Sequence, residues 1–327
     1  MPTTQTYFKI FNDKIRISYD EDTKLRDKRD LLLDNIRHCI KYFANHNNIT
    51  IPHFDTFNQG SYDLRTGIKP LYSEDHDIDV GIVFQIKRNE ADPQKLVNLV
   101  FQALQSPNRT VEKKRPCLRV QYHKNDEKTY HVDIAIYCVE QGLWNSENYF
   151  LARSPKTGSK DIKLWEQAAP FRLKEIFREK YQKNEELEQF RRIIRYLKRW
   201  KDISFSATGN NRPTGIGLTA CVYNWTTYQQ INLDTGKSED YDLGGLIQVV
   251  DKIIGSFNSW TNRLVVNLPV VPNNDLFEKM TDSQMLNFKN KLLNLQSSLK
   301  QASQAKYINE FCNPLRNVFG EDFPNEL

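Results

Sequence analysis

The chain has 327 residues, 39% of them hydrophobic and 12% aromatic, enough for one large or two medium domains that bury real cores. Lys and Arg outnumber Asp and Glu by 46 to 41, and a net charge of +5 over this length is far from a nucleic-acid-coating composition and names no partner. Cys39, Cys117, Cys138, Cys221 and Cys312 show no C-x-x-C pair or zinc spacing, the N-terminal stretch lacks the apolar core of a signal peptide, and no run approaches the roughly 20 apolar residues of a membrane span. A cytoplasmic protein with reduced thiols is expected.

In chain order, Asp22 or Thr23 can cap a long amphipathic helix, in which Leu32, Ile36, Cys39, Ile40 and Phe43 recur at helical spacing. From Phe54 the pattern changes. The stretch "HFDTFNQG" reads as a strand entering a turn, "HDIDVGIVFQI" and "YHVDIAIYC" alternate with period two, and "CLRVQYH" is a third strand. Between them "PQKLVNLVFQALQ" is a helix with Pro93 near its start. "EQGLWNSENYFLARSPKTGSK" reads as a loop mixing aromatic and basic residues. Beyond it "PFRLKEIFREKYQ", "NEELEQFRRIIRYLKRWK", "GIGLTACVYNWTTYQQ", "LGGLIQVVDKIIGSF" and "DSQMLNFKNKLLNLQSSLKQA" each carry an apolar helical stripe. Segregated strands and helices predict an α+β chain, with a mixed core over 1–165 including the long N-terminal helix, a helical lobe over 166–327, and the site in the cleft between them.

The chemistry-bearing feature is the acidic start of the second strand. Asp77 and Asp79 point to one face of it, while Ile78, Val80, Ile82 and Phe84 point to the other. Residues two apart on a strand are about 6.6 Å apart along the chain, close enough for their carboxylates to converge on cations. Asp133 has the same relation to Val132, Ile134 and Ile136, so neighbouring strands would bring three carboxylates together. Alone, such a cluster repels itself. Hard divalent cations such as Mg²⁺ relieve it, taking carboxylates, water and substrate phosphates as ligands. Upstream, the Gly60-Ser61 turn can offer backbone N–H groups and a hydroxyl to a phosphate chain. Asp75 shares the parity of Asp77 and Asp79, so parity alone does not pick the pair.

"QGSYDLRTGIKPL", "DHDIDVGIVF" and "HVDIAIYC" together resemble the G-S, D-x-D, D signature of polymerase-β-like nucleotidyltransferases, and in particular the CD-NTases, bacterial relatives of cyclic GMP-AMP synthase and oligoadenylate synthase. Downstream, "RRIIRYLKRWK" is similar to that family's Lys- and Trp-bearing helix, and "RPTGIGLTACVYN" to its next helix start. The resemblance implies a nucleotidyltransferase core with an oligoadenylate-synthase-like helical lobe. It selects Asp77, Asp79 and Asp133 as the catalytic acids holding two Mg²⁺ ions, with Mn²⁺ as the alternative ion. It places Gln59, Gly60, Ser61, Lys198 and Thr214 at the nucleotide. The implied substrates are nucleoside triphosphates, ATP among them, joined with release of pyrophosphate into a cyclic di- or trinucleotide that signals to an effector in antiphage defence.

A linear oligoadenylate synthase or RNA-tailing enzyme is the alternative, and an inactive binding protein of the same fold the third. No membrane partner or obligatory nucleic acid is expected. Arg191, Arg195 and Lys198 fall at i, i+4 and i+7 as a basic strip, which the residues alone read as a solvated face or a phosphate contact. Tyr62, Tyr223 and Trp225 are base-stacking candidates or core aromatics, because Gly215 stands where some relatives carry an aromatic. Arg65 and Lys69 could screen phosphate charge or sit on a loop, and Glu74, Asp75 and His76 are neighbours of the acidic pair.

Overall fold

The computed structural model describes residues 3–71, 76–122, 130–142, 146–154, 164–206, 212–230 and 240–325, without the side chains of 19–22, 76, 77, 130 and 164. Helices α1 (Thr4–Ile15) and α2 (Tyr19–Asn47) come first, followed by β1 (Phe54–Gln59) and the one-turn helix α3 (Gly60–Asp63). Next are β2 (His76–Phe84), α4 (Pro93–Ala103), β3 (Arg109–Lys113), β4 (Leu118–Tyr122), β5 (Tyr130–Gln141), β6 (Glu147–Arg153) and β7 (Leu164–Ala168). The rest is helical: α5 (Arg172–Lys180), α6 (Asn184–Ser204), α7 (Gly215–Trp225), α8 (Asp242–Gly255), α9 (Asp282–Ser303) and α10 (Ile308–Phe319).

The strands form one mixed sheet in the order β1-β2-β5-β4-β3, with β6 added along the far end of β5 and β7 on β6. β2 and β5 are parallel, and every other pair is antiparallel. Alternation does what parity requires. Ile78, Val80, Ile82 and Phe84 are all but fully buried, and they pack with Val132, Ile134, Ile136, α2 and α4 into one core. Asp92 caps α4, its carboxylate accepting from the Gln94 N–H at 2.8 Å, with Pro93 at the first position. The opposite face of β2 and β5 carries Asp79 and Asp133, then a small patch of Val83, Ala135, Tyr137 and Leu151.

A second core unites α5 to α10 with the N-terminal helix α1, whose Tyr7, Phe8, Phe11 and Ile15 are buried in it. The Phe11 ring stacks on Tyr196 of α6 at 5.2 Å, and the Tyr196 hydroxyl donates to the Phe8 carbonyl at 2.8 Å. α1 thus packs on the helical side although it precedes the sheet in the chain. β3, β6 and β7 were not expected. β6 falls inside the segment read as a loop; its sequence "ENYFLAR" has little alternation, and its strand form is imposed by pairing with residues 137–141 of β5. No helix among the described residues is long and apolar enough to cross a membrane.

Candidate active site

The site is built where β1 turns back over β2 and β5. Gln59 ends β1 in register with Asp79, and Asp79 is in register with Asp133 on the parallel neighbour. Gly60 then takes φ +65°, the left-handed region that favours glycine. A Cβ there would lie 1.9 Å from Asp79 Oδ2, so the turn can rest against this carboxylate only with glycine at 60. The Gln59 side chain accepts a 2.9 Å hydrogen bond from the Tyr137 hydroxyl, itself held protonated by burial and by the Asp79 charge.

Asp133 is gripped from the other side. Arg119, its register partner on β4, makes a bidentate pair with it, Nε to Oδ1 at 2.8 Å and Nη2 to Oδ2 at 2.6 Å. Burial and the nearby Asp133 push the Cys117 thiol well above its usual range, so it stays a thiol. Sequence reasoning missed Arg119. The available signal was an arginine on the polar face of "LRVQY", the strand read as a neighbour of the Asp133 strand.

Across the cleft, α6 presents Lys198, nearly fully buried. Its ammonium donates to the Thr66 carbonyl at 2.9 Å and lies 3.3 Å from the Thr66 hydroxyl. Burial, aided by Lys201, pulls its pKa down to about 7, against the pull of Asp79. The cleft beside it, of about 320 Å³, is bordered by Gly60, Ser61, Asp79, Lys198, Gly215 and Thr219 among others. Thr214 is the N-cap of α7. Its hydroxyl accepts from the Gly217 N–H at 3.1 Å and donates to the Leu276 carbonyl at 3.3 Å, so it serves the helix end that faces the cleft. A second cleft of about 1,090 Å³ shares Ile17, Ser61 and Gly67 with the first and is walled by arginines including Arg29, Arg65, Arg178 and Arg195.

Of the residues singled out from sequence, Gly60, Ser61, Asp79 and Lys198 border one cleft, with Gln59 and Asp133 beside Asp79. The side chain of Asp77 lies outside the described residues, as do Glu74, Asp75 and the His76 side chain; the backbone of Asp77 is in register with His131. Tyr223 packs on Phe177 at 5.1 Å and, with Trp225, against the helical core, whereas Tyr62 borders the second cleft. Among the described residues no three His, Cys, Asp or Glu side chains gather as a metal site. The donors that are described do fit a hard cation: Asp79 and Asp133 supply carboxylate oxygens from adjacent strands, which run roughly 5 Å apart. The bare glycine at 60 keeps the approach to Asp79 Oδ2 free of a Cβ.

Residues 53–137 match the family model for the nucleotidyltransferase domain of cyclic GMP-AMP synthase DncV-like proteins. No curated protein matches the chain in sequence. Among solved structures, the cyclic AMP-GMP synthase DncV of Vibrio cholerae, in complex with the linear intermediate 5′ pppA(3′,5′)pG, is 18% identical with a TM-score of 0.74, covering 98% of this chain and 96% of that one. A mutant of the same di-nucleotide cyclase with ATP, GTP and 5MTHFGLU2 is 17% identical, TM-score 0.71, over 96% and 94% of the two chains. Escherichia coli DncV in its 3′-deoxy GTP bound form is 17% identical, TM-score 0.69, over 95% and 93%. The matched segment holds the Gly60-Ser61 turn and both acidic strands, and over nearly its whole length the chain shares the fold of the DncV structures.

Proposed function

We propose that this protein is a template-independent nucleotidyltransferase that joins nucleoside triphosphates, releases pyrophosphate and closes a cyclic di- or trinucleotide, a second messenger read by an effector in antiphage defence. The observation that carries this reading is the register of Asp79 with Asp133 on parallel strands, directly beneath a Gly60 that cannot accept a side chain. ATP is one substrate; the similar structures, which hold ATP, GTP and a linear dinucleotide, support two triphosphates being joined in one site.

In this reading the Gly60-Ser61 backbone and the Ser61 hydroxyl bind the phosphates of one nucleotide beside Asp79. Asp77, Asp79 and Asp133 would hold two Mg²⁺ ions, which when bound supply charge at the α-phosphate and lower the pKa of the attacking hydroxyl. Arg119 orients Asp133 and balances its charge before the substrate arrives. Lys198, donating to Thr66 at the cleft wall, offers the triphosphate a donor whose protonated form the phosphate charge favours, and the α7 N-terminus capped by Thr214 adds a favourable dipole.

The test is Asp79→Asn and Asp133→Asn, each assayed for Mg²⁺-dependent pyrophosphate release from nucleoside triphosphates, with folding followed by circular dichroism. Loss of at least 10²-fold in rate in a folded variant is expected. Wild-type rates in both would remove the assignment.

A further inference from the structure

We propose that Arg195 is a positioning residue for the Gly60-Ser61 turn, acting through the backbone of Leu64–Thr66; this rests on the nucleotidyltransferase reading above. The basic strip of α6 is neither a solvated face nor simply a row of phosphate contacts. Its members donate to consecutive carbonyls of the chain that follows the turn. Arg191 Nε reaches the Leu64 oxygen at 3.1 Å, Arg195 Nη2 the Arg65 oxygen at 2.5 Å, and Lys198 Nζ the Thr66 oxygen at 2.9 Å. The spacing of one helical turn between donors matches a compact run of acceptors.

That run is tied back to the turn itself. The Thr66 N–H donates to the Ser61 carbonyl at 2.8 Å, and the Leu64 N–H to the Gly60 carbonyl at 3.2 Å. Movement of the Arg65–Thr66 peptide therefore moves the Ser61 peptide. Arg65 has φ +56°, a backbone that a non-glycine residue keeps only where its surroundings impose it. Its carbonyl is the one Arg195 holds.

Arg195 has the geometry for this and little else. It is 7% exposed, and its second nitrogen, Nη1, donates to Asn12 Oδ1 of α1 at 2.8 Å. One planar fork thus links α1, α6 and the turn, which a lysine ammonium on its flexible stem does not reproduce. Arg195 borders the larger cleft, which meets the one lined by Asp79 and Lys198 at Ser61, and its terminal guanidinium nitrogens are given to Asn12 and the Arg65 carbonyl, so its hold on the turn runs through protein groups. A loosened turn weakens phosphate binding in ground state and transition state alike, a change in KM with kcat preserved.

The experiment compares wild type with Arg195→Gln and Arg195→Lys. Steady-state kinetics, titration with α,β-methylene-ATP in the presence of Mg²⁺, and amide hydrogen exchange at Thr66 are measured well below each melting temperature. Arg195→Gln is expected to raise KM and the analogue Kd at least tenfold with kcat within threefold, and to speed Thr66 exchange at least tenfold. Arg195→Lys is expected between Gln and wild type. A folded Arg195→Gln with wild-type KM and Kd overturns the proposal while leaving the enzyme reading intact. Should Arg195→Gln not fold, Arg191→Met loosens the same turn from a less buried position: a threefold rise in KM supports the proposal and a wild-type KM overturns it. A wild-type protein that does not bind the analogue overturns both readings.

Discussion

Gly60 is the residue on which the site geometry turns, because its missing Cβ is what admits Asp79 to the turn. Gly60→Ala places a methyl where Asp79 Oδ2 sits and forces a left-handed backbone on alanine. We expect at least 10²-fold loss of transferase rate from a protein that still folds, and activity within threefold of wild type would contradict the packing. Lys198 makes a pH prediction. Its folded pKa of about 7 lies below the 10.5 of an ordinary lysine, so between those limits the unfolded chain holds a proton that the folded one has shed. Unfolding then takes up a proton, and stability gains with rising pH at up to about 1.4 kcal/mol per unit in this window, with no contribution to the slope below or above it. In urea melts of metal-free protein at pH 7 and 9, wild type should gain on Lys198→Met; parallel behaviour of the two would sink this. The sequence singled out Gly60, Asp79 and Lys198 through the resemblance of their motifs to a known family. It could not give the Thr66 partner or the Arg119 pair, because both join residues whose proximity only the folded sheet and lobe create.

Elements were legible in proportion to the regularity of their patterns. The parity of β2 and β5, with Ile78 to Phe84 inward and the carboxylates outward, could be read directly, as could the stripes of α4 to α9. The short strands β3, β6 and β7 were not, since each lacks alternation and is held by its partner's backbone. Nor was the docking of α1 on the helical lobe, which depends on a buried polar knot far away in sequence. Asp242, fully buried, accepts from Arg192 at 2.7 and 2.9 Å and lies 2.9 Å from the Tyr196 hydroxyl, whose one proton it shares with the Phe8 carbonyl, while its own N–H donates to Gln5 of α1 at 2.9 Å. Asp242→Ala leaves Arg192 with Asp240 alone. Removing one partner of a buried pair costs about 3–5 kcal/mol, and the remaining Asp240 contact sets the expectation at about 3 kcal/mol in equilibrium unfolding. A loss below about 1 kcal/mol would show that the buried Arg192–Asp242 pair is not a stabilising part of the knot.

At the scale of the whole molecule, the sheet brings the acids together and the helical lobe supplies Lys198 and the α7 end, so the cleft exists only where the two cores meet. That arrangement explains why the apolar pattern told of two lobes while the assignment of α1 to one of them needed the structure. In the proposed reading this cleft is where nucleoside triphosphates are joined. The most direct test incubates the protein with Mg²⁺ and α-labelled nucleoside triphosphates, treats the products with phosphatase, and compares their mobility before and after. A labelled product that phosphatase leaves unchanged, lost in Asp79→Asn, is the predicted result; a product pool wholly converted by phosphatase would contradict ring closure and make the protein a linear synthase.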